Sequence, residues 1–162
     1  MKYTIEFDYL RFKNPAPVKS WEGVRDATSY GSECVQMTLD QAHGSEDCLF
    51  LNVFTKDVAA KKPVLVYIHG GSFIMGSAKV AKPDYLLEED IVLVTIQYRL
   101  GPLGFLTTAD SEAPGNYGLQ DQILALQWIQ QHIHKFGGDK DQVGKIISSI
   151  LMYKTRCASV RV

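Results

Sequence analysis

Val64-Leu65-Val66-Tyr67-Ile68-His69-Gly70-Gly71-Ser72-Phe73 is the stretch that decides how the chain is read. Val64 to Ile68 is an unbroken apolar run of β-formers, which predicts a strand covered on both faces. The run stops at two adjacent glycines, so the backbone there turns sharply or comes close to something. One use of such a loop is to aim backbone N–H groups at a developing negative charge. Working outward, Ile91 to Gln97 is a second buried run, and Cys48 to Thr55 is rich in β-formers and partly alternating. Between them Lys56 to Lys62 reads as a polar turn, Gly70 to Pro83 as a long loop, and Asp84 to Asp90 as room for a helical turn capped by Asp84. Arg99 to Pro114 reads as a further loop, broken by Gly101, Pro102 and Gly104. The clearest helix is Asn116 to Lys135, where Leu119, Ile123, Leu126, Ile129 and Ile133 recur every three or four residues. Asn116 is its candidate cap and Gly137-Gly138 its stop. Strand, loop, strand, helix predicts an α/β fold with a largely parallel sheet.

Composition narrows the function classes. The chain has 162 residues, 46% hydrophobic and 22% charged, an ordinary mix for one globular domain. A net charge of -1 gives no electrostatic footprint for nucleic acid or an anionic membrane. No apolar stretch approaches the roughly 18 residues that span a bilayer. The first residues, MKYTIEFDYLRFK, lack the apolar core of a signal peptide. Three cysteines occur, Cys34, Cys48 and Cys157, with no C-x-x-C spacing that would suggest zinc. On the residues alone, Cys34 and Cys48 read equally well as a disulfide closing a small loop or as two free buried thiols.

Four stretches carry a more specific message. Leu10 to Pro17, with Trp21 to Ala27, is the first, and Ser45-Glu46-Asp47-Cys48-Leu49-Phe50-Leu51-Asn52-Val53 is the second. His69 to Phe73 is the third. Gln97 to Phe105 and Gly115 to Gln122 complete the set. In this order they resemble the type-B carboxylesterase/cholinesterase-like family of α/β-hydrolases, and the remaining text is similar to insect-type esterases. The resemblance covers residues 10–143, read as a partial carboxylesterase domain, with 1–9 and 144–162 divergent. It implies the N-terminal part of an α/β-hydrolase fold: an incomplete, mostly parallel sheet with an antiparallel leading strand.

The resemblance also implies a chemistry. In such enzymes a serine attacks the ester carbonyl, a histidine carries its proton, and a carboxylate orients the histidine. It places the oxyanion-hole donors at the backbone N–H groups of Gly71 and Ser72, within a loop that includes His69 and Gly70. Ser72 stands where the family most often has glycine; it reads as a loop residue rather than a nucleophile. The resemblance further implies a Cys34–Cys48 disulfide and two structural ion pairs, Arg11 with Glu46 and Arg99 with Asp121. Read without it, either pair is a solvent-facing contact of little energetic consequence. Trp21 and Trp128 read as core anchors, and Phe73 as either a pocket wall or a core aromatic. No cofactor and no metal is called for. The expected partner of the parent enzyme is a small-molecule ester, and oligomeric state is not assigned. Members of the family are often secreted or held in the endoplasmic reticulum lumen.

The attacking group is missing. No G-x-S-x-G occurs in the 162 residues. After Asp141-Gln142-Val143 the text departs into Gly144-Lys145-Ile146-Ile147-Ser148-Ser149-Ile150, and no histidine has a defined relation to Ser148 or Ser149. His43, His132 and His134 read as surface or loop residues, and Cys157 has no supporting partner. No catalytic nucleophile is assigned. The chain therefore reads as a truncated carboxylesterase, inactive alone, with a non-catalytic cholinesterase-like interaction module as the alternative. Val64 to Ile68 should pair with Ile91 to Gln97, which borders the antiparallel Leu49 to Thr55. Its other edge is expected to be open, with Lys145 to Met152 as a possible cover, and so to favour aggregation.

Overall fold

The computed structural model describes residues 1–2, 10–38 and 40–147. Two short strands, β1 (Gln36–Met37) and β2 (Ala42–His43), pair antiparallel in a small hairpin. The main sheet holds β3 (Leu51–Phe54), β4 (Lys62–Ile68), β5 (Val92–Ile96) and β6 (Gly138–Ile147) in the order β3-β5-β4-β6. β3 is antiparallel to β5, with Leu51 opposite Ile96, whereas β4 is parallel to both β5 and β6. This is the mostly parallel sheet with an antiparallel leading strand that the family resemblance implies.

Among the described residues three α-helices, α1 (Pro83–Leu86), α2 (Gly101–Phe105) and α3 (Tyr117–His132), and two 3-10 turns, Ala78–Val80 and Ile133–Phe136, complete the order. β5 is buried along its whole length, as expected for the central strand of an apolar run. β4 is not: Val64, Val66 and Ile68 are buried, but Leu65 and Tyr67 are only partly covered. The expectation of a strand covered on both faces therefore holds for β5 and is corrected for β4.

α3 lies where the periodicity put it but turns a different stripe inward. Tyr117, Asp121, Ala125, Trp128 and Ile129 are buried, while Leu119 and Ile123 are exposed. On that inward face the buried carboxylate of Asp121 meets Arg99, just after β5, alongside the core residues Ala125, Trp128 and Ile129. Asn116 sits at the cap position in a left-handed conformation (φ 59°) without a side-chain cap. Gly137, with φ 74°, ends the helical stretch in the conformation a glycine adopts most cheaply.

Several expectations are corrected. Asp84 is inside the first turn of α1, with Pro83 opening that turn and Lys82 at the cap position. The Arg99 to Pro114 loop contains α2, because Pro102 suits a first helical turn and Gly104 lets that turn lie on the Arg99 carbonyl. Trp21 is 39% exposed, its ring 4.5 Å beneath the Arg25 guanidinium, whereas Trp128 is buried as expected. The open edge on β4 is also corrected. β6 pairs with β4 from Val64–Val143 through Ile68–Ile147, so the divergent text Gly144 to Ile147 continues a strand. Among the described residues β4 is an inner strand, and the edge strands of the sheet are β3 and β6. Ser148, Ser149, Met152 and Cys157 lie outside the described residues.

Cys34 and Cys48 form a disulfide (Cα–Cα 4.8 Å), both buried in the core cluster that also takes in Leu51, Val66 and Ile96. The alternative of two free thiols is thereby removed.

Candidate active site

β4 ends by delivering His69 into the core. Its ring is 2% exposed and stacks on Tyr98, with centroids 4.4 Å apart and planes 15° from parallel. The Tyr98 hydroxyl donates to the His69 carbonyl at 2.7 Å. His69 Nδ1 stands 3.0 Å from the Gly70 carbonyl, so Nδ1 carries the proton. Burial lowers the His69 pKa, against smaller opposing effects of Gly70, Gln97 and Glu33, so the ring is neutral at pH 7. Burial, with Tyr67 adding to it, pushes the Tyr98 phenol up to about 12.

After His69 the chain forms a tight turn. The N–H groups of Ile74 and Met75 both donate to Gly71 O at 3.0 Å. Gly71 (φ 119°), Ser72 (53°), Phe73 (63°) and Gly76 (130°) all occupy positive φ. A Cβ on Gly71 would stand 1.7 Å from Met75 O, and one on Gly76 2.3 Å from Gly70 O and 2.4 Å from His69 Nδ1. Glycine is thus required at 71 and 76. The Gly101 N–H donates to Phe73 O at 2.7 Å, joining the turn to α2. Phe73 is half exposed and packs on Phe105 with ring centroids 4.9 Å apart.

The turn forms one wall of a cleft that also includes Tyr98, Leu119, Gln122 and Ile147. Phe73 lines this cleft, which decides between its two readings. Among the described residues no protein acceptor takes the N–H of Gly71 or of Ser72. A rigid turn with two unengaged N–H groups at the edge of a cleft can stabilise negative charge there. Among the described residues no serine hydroxyl is hydrogen-bonded to a histidine, and no cluster of His, Cys, Asp and Glu could hold a metal. Ile147, the last residue of β6, is beside the turn.

Both expected ion pairs are present as contacts. Arg99 Nε and Nη2 donate to Asp121 at 2.8 and 2.7 Å, the Arg99 backbone N–H donates to the same carboxylate at 3.0 Å, and Nη1 reaches Leu10 O. Burial raises the Asp121 pKa and the three Arg99 hydrogen bonds oppose that rise. Arg11 grips Glu46 through Nε (2.7 Å) and Nη2.

Sequence reasoning passed over Tyr98, Gln36 and Gly76. A signal was available for Tyr98, an aromatic residue closing a buried strand next to a required arginine. None was available for Gln36, which meets Gly76 from forty residues away.

The Carboxylesterase family pattern matches residues 6–146. The chain belongs to the carboxylesterase family. Among curated carboxylesterase relatives, Esterase FE4 of Myzus persicae is 47% identical over 143 residues, which are 82% of this chain and 25% of that protein. Carboxylesterase 5A of Homo sapiens is 44% identical, covering 83% of this chain and 26% of its own length. The structure is similar to juvenile hormone esterase from Manduca sexta (TM-score 0.84, 35% identity, 91% of this chain and 30% of that one). It is also similar to the Geobacillus stearothermophilus carboxylesterase EST55 (TM-score 0.83, 37% identity, 91% and 33%). The chain thus carries part of an α/β-hydrolase esterase fold and spans about a quarter of the length of the curated relatives it matches.

Proposed function

We propose that these residues form the oxyanion side of a serine carboxylic ester hydrolase site, with the N–H groups of Gly71 and Ser72 as the donors. The observation that carries this reading is the pair of N–H groups without a protein acceptor among the described residues, on a turn where Gly71 and Gly76 admit no side chain. In ester hydrolysis the tetrahedral intermediate puts its charge on the former carbonyl oxygen, and each preorganised donor there is worth about 3 kcal/mol of barrier. The side chain of Ser72 changes the width of the pocket but leaves its backbone donor in place. The neutral His69 acts as a buried support of the turn and not as the proton carrier. The Cys34–Cys48 bond fits maturation in an oxidising compartment.

The same reading assigns no hydrolysis to the 162 residues by themselves, since they hold no G-x-S-x-G. Two preparations test it. The chain alone, given a short-chain nitrophenyl ester, should show no saturable turnover. Residues 10–147 grafted in place of the matching segment of the Geobacillus carboxylesterase should support turnover, and Gly71→Ala in that graft, which keeps the N–H but drives Met75 O and the turn out of place, should lower kcat about 100-fold or more. Saturable turnover by the chain alone, abolished by a serine-directed phosphonate, would overturn the inactivity. A graft indifferent to Gly71→Ala would overturn the donor assignment.

A further inference from the structure

We infer that Gln36 is a positioning residue for the oxyanion turn, acting from the disulfide-anchored hairpin; this rests on the reading of the turn given above. Gln36 is 8% exposed, and its amide is spent on backbone. Nε2 donates to Gly76 O at 3.0 Å and to Cys34 O at 3.2 Å, while Oε1 accepts the Gly76 N–H at 2.8 Å. One side chain thus engages both polar groups of the residue that closes the turn.

Gly76 has little freedom to move by itself. The direction its Cβ would take is occupied by Gly70 O and His69 Nδ1, both within 2.5 Å of that point. Fixing Gly76 therefore fixes the far side of the turn, Gly70 and His69. The anchor on the other end is equally firm: Cys34 is two residues from Gln36 and is joined to Cys48. A neighbouring amide continues the same hold, since Gln97 Oε1 accepts the Ala78 N–H at 3.2 Å. The entry of the turn is held by Tyr98 at the His69 carbonyl. Of these, Gln36 is the support that reaches the turn from outside the main sheet.

The amide is needed for its chemistry and not only for its bulk. A donor and an acceptor must stand side by side, facing a carbonyl and an N–H respectively. A methionine fills the space with neither. A carboxylate offers two acceptors, one of which would face Gly76 O. A protonated carboxyl again offers one donor and one acceptor.

Backbone hydrogen exchange on the 162-residue chain tests this without any activity. Gln36→Met should speed exchange of the Ile74, Met75 and Gly101 amides about tenfold or more, although none of them touches Gln36. Exchange of Val66 and Val94 in the sheet should stay as in the parent. Gln36→Glu should behave like Gln36→Met at pH 7 and recover protection at pH 4–5, as the carboxyl takes up its proton, when normalised to the parent at each pH. Unchanged exchange of Ile74 and Met75 in Gln36→Met would overturn the inference. So would loss of protection spread evenly over β4 and β5, or a Gln36→Glu chain that shows no recovery in acid. In the esterase graft, Gln36→Met should lower kcat with KM nearly unchanged. Loosened exchange without that loss would sink the oxyanion reading and leave the positioning intact.

Discussion

Arg99–Asp121 and Arg11–Glu46 are the same contact in two settings. Each is an arginine fork on a carboxylate, and both were named together from the sequence. The Arg99 and Asp121 side chains are 10% and 0% exposed, whereas those of Arg11 and Glu46 are 51% and 23% exposed. In the first setting the pair joins the end of β5 to α3 and also engages Leu10 O and the Arg99 backbone. In the second, water competes for the same groups. The difference teaches that the position of a pair in the fold, and not its residue types, decides what losing a partner costs.

The largest effect should come from breaking the buried member. Asp121→Ala leaves Arg99 Nε, Nη2 and the Arg99 N–H without their acceptor and the buried positive charge without its counter-charge, and should cost about 3–5 kcal/mol in urea unfolding. Arg99→Met with Asp121→Leu in the same chain should cost far less than the two single changes added together, because no charge is stranded. Additive single costs would mean that the buried pair behaves as its exposed counterpart does.

Alkaline pH sharpens the contrast next. Tyr98, adjacent to Arg99, keeps its proton to about 12 in the folded chain, against an ordinary value of 10.0. The unfolded chain ionises first, so this contribution is complete below pH 10 and is lost as pH rises from 10 to 12. About 2–3 kcal/mol is present below pH 10 and is gone at the top of that range. The comparison is between the parent and Tyr98→Phe, whose stability difference should narrow or invert over that interval. A difference that stays flat from pH 9 to 12 would remove the claim.

The smallest effect belongs to the exposed pair. Glu46→Gln should cost under about 1 kcal/mol, and less still in 1 M salt. A loss as large as that of Asp121→Ala would mean that Arg11 and Glu46 carry more of the fold than their exposure implies.

The sequence is legible wherever the local pattern and the global fold make the same demand. Val92 to Ile96 is apolar and is buried throughout, and Leu51 to Phe54 pairs with it as read. The Cys34–Cys48 bond and the four ion-pair residues came from motif resemblance and not from any periodicity. Legibility fails where a long-range contact decides. α3 buries Asp121 against Arg99 on the same face as Ala125, Trp128 and Ile129, whereas Leu119 and Ile123, apolar and correctly spaced, are exposed. β6 begins Gly138-Asp139-Lys140-Asp141, a polar opening that conceals a ten-residue strand whose register is supplied by β4. In the site, His69 to Ser72 was readable because the glycines mark the turn. Its supports were not, because Gln36 and Tyr98 are ordinary residues until the fold brings them to Gly76 and His69.

The pairing of β4 with β6 has a kinetic meaning. β3, β4 and β5 lie within residues 51–96, so three strands of the sheet can assemble from a nearly contiguous piece of chain. Val64 meets Val143 only after α2 and α3 have been laid down between them. Contacts between segments so far apart in sequence form late, since chain entropy is lost before the pairing rewards it. During synthesis and refolding, β4 therefore waits with one edge bare until β6 arrives. That interval is when an apolar strand is most exposed to capture by another chain.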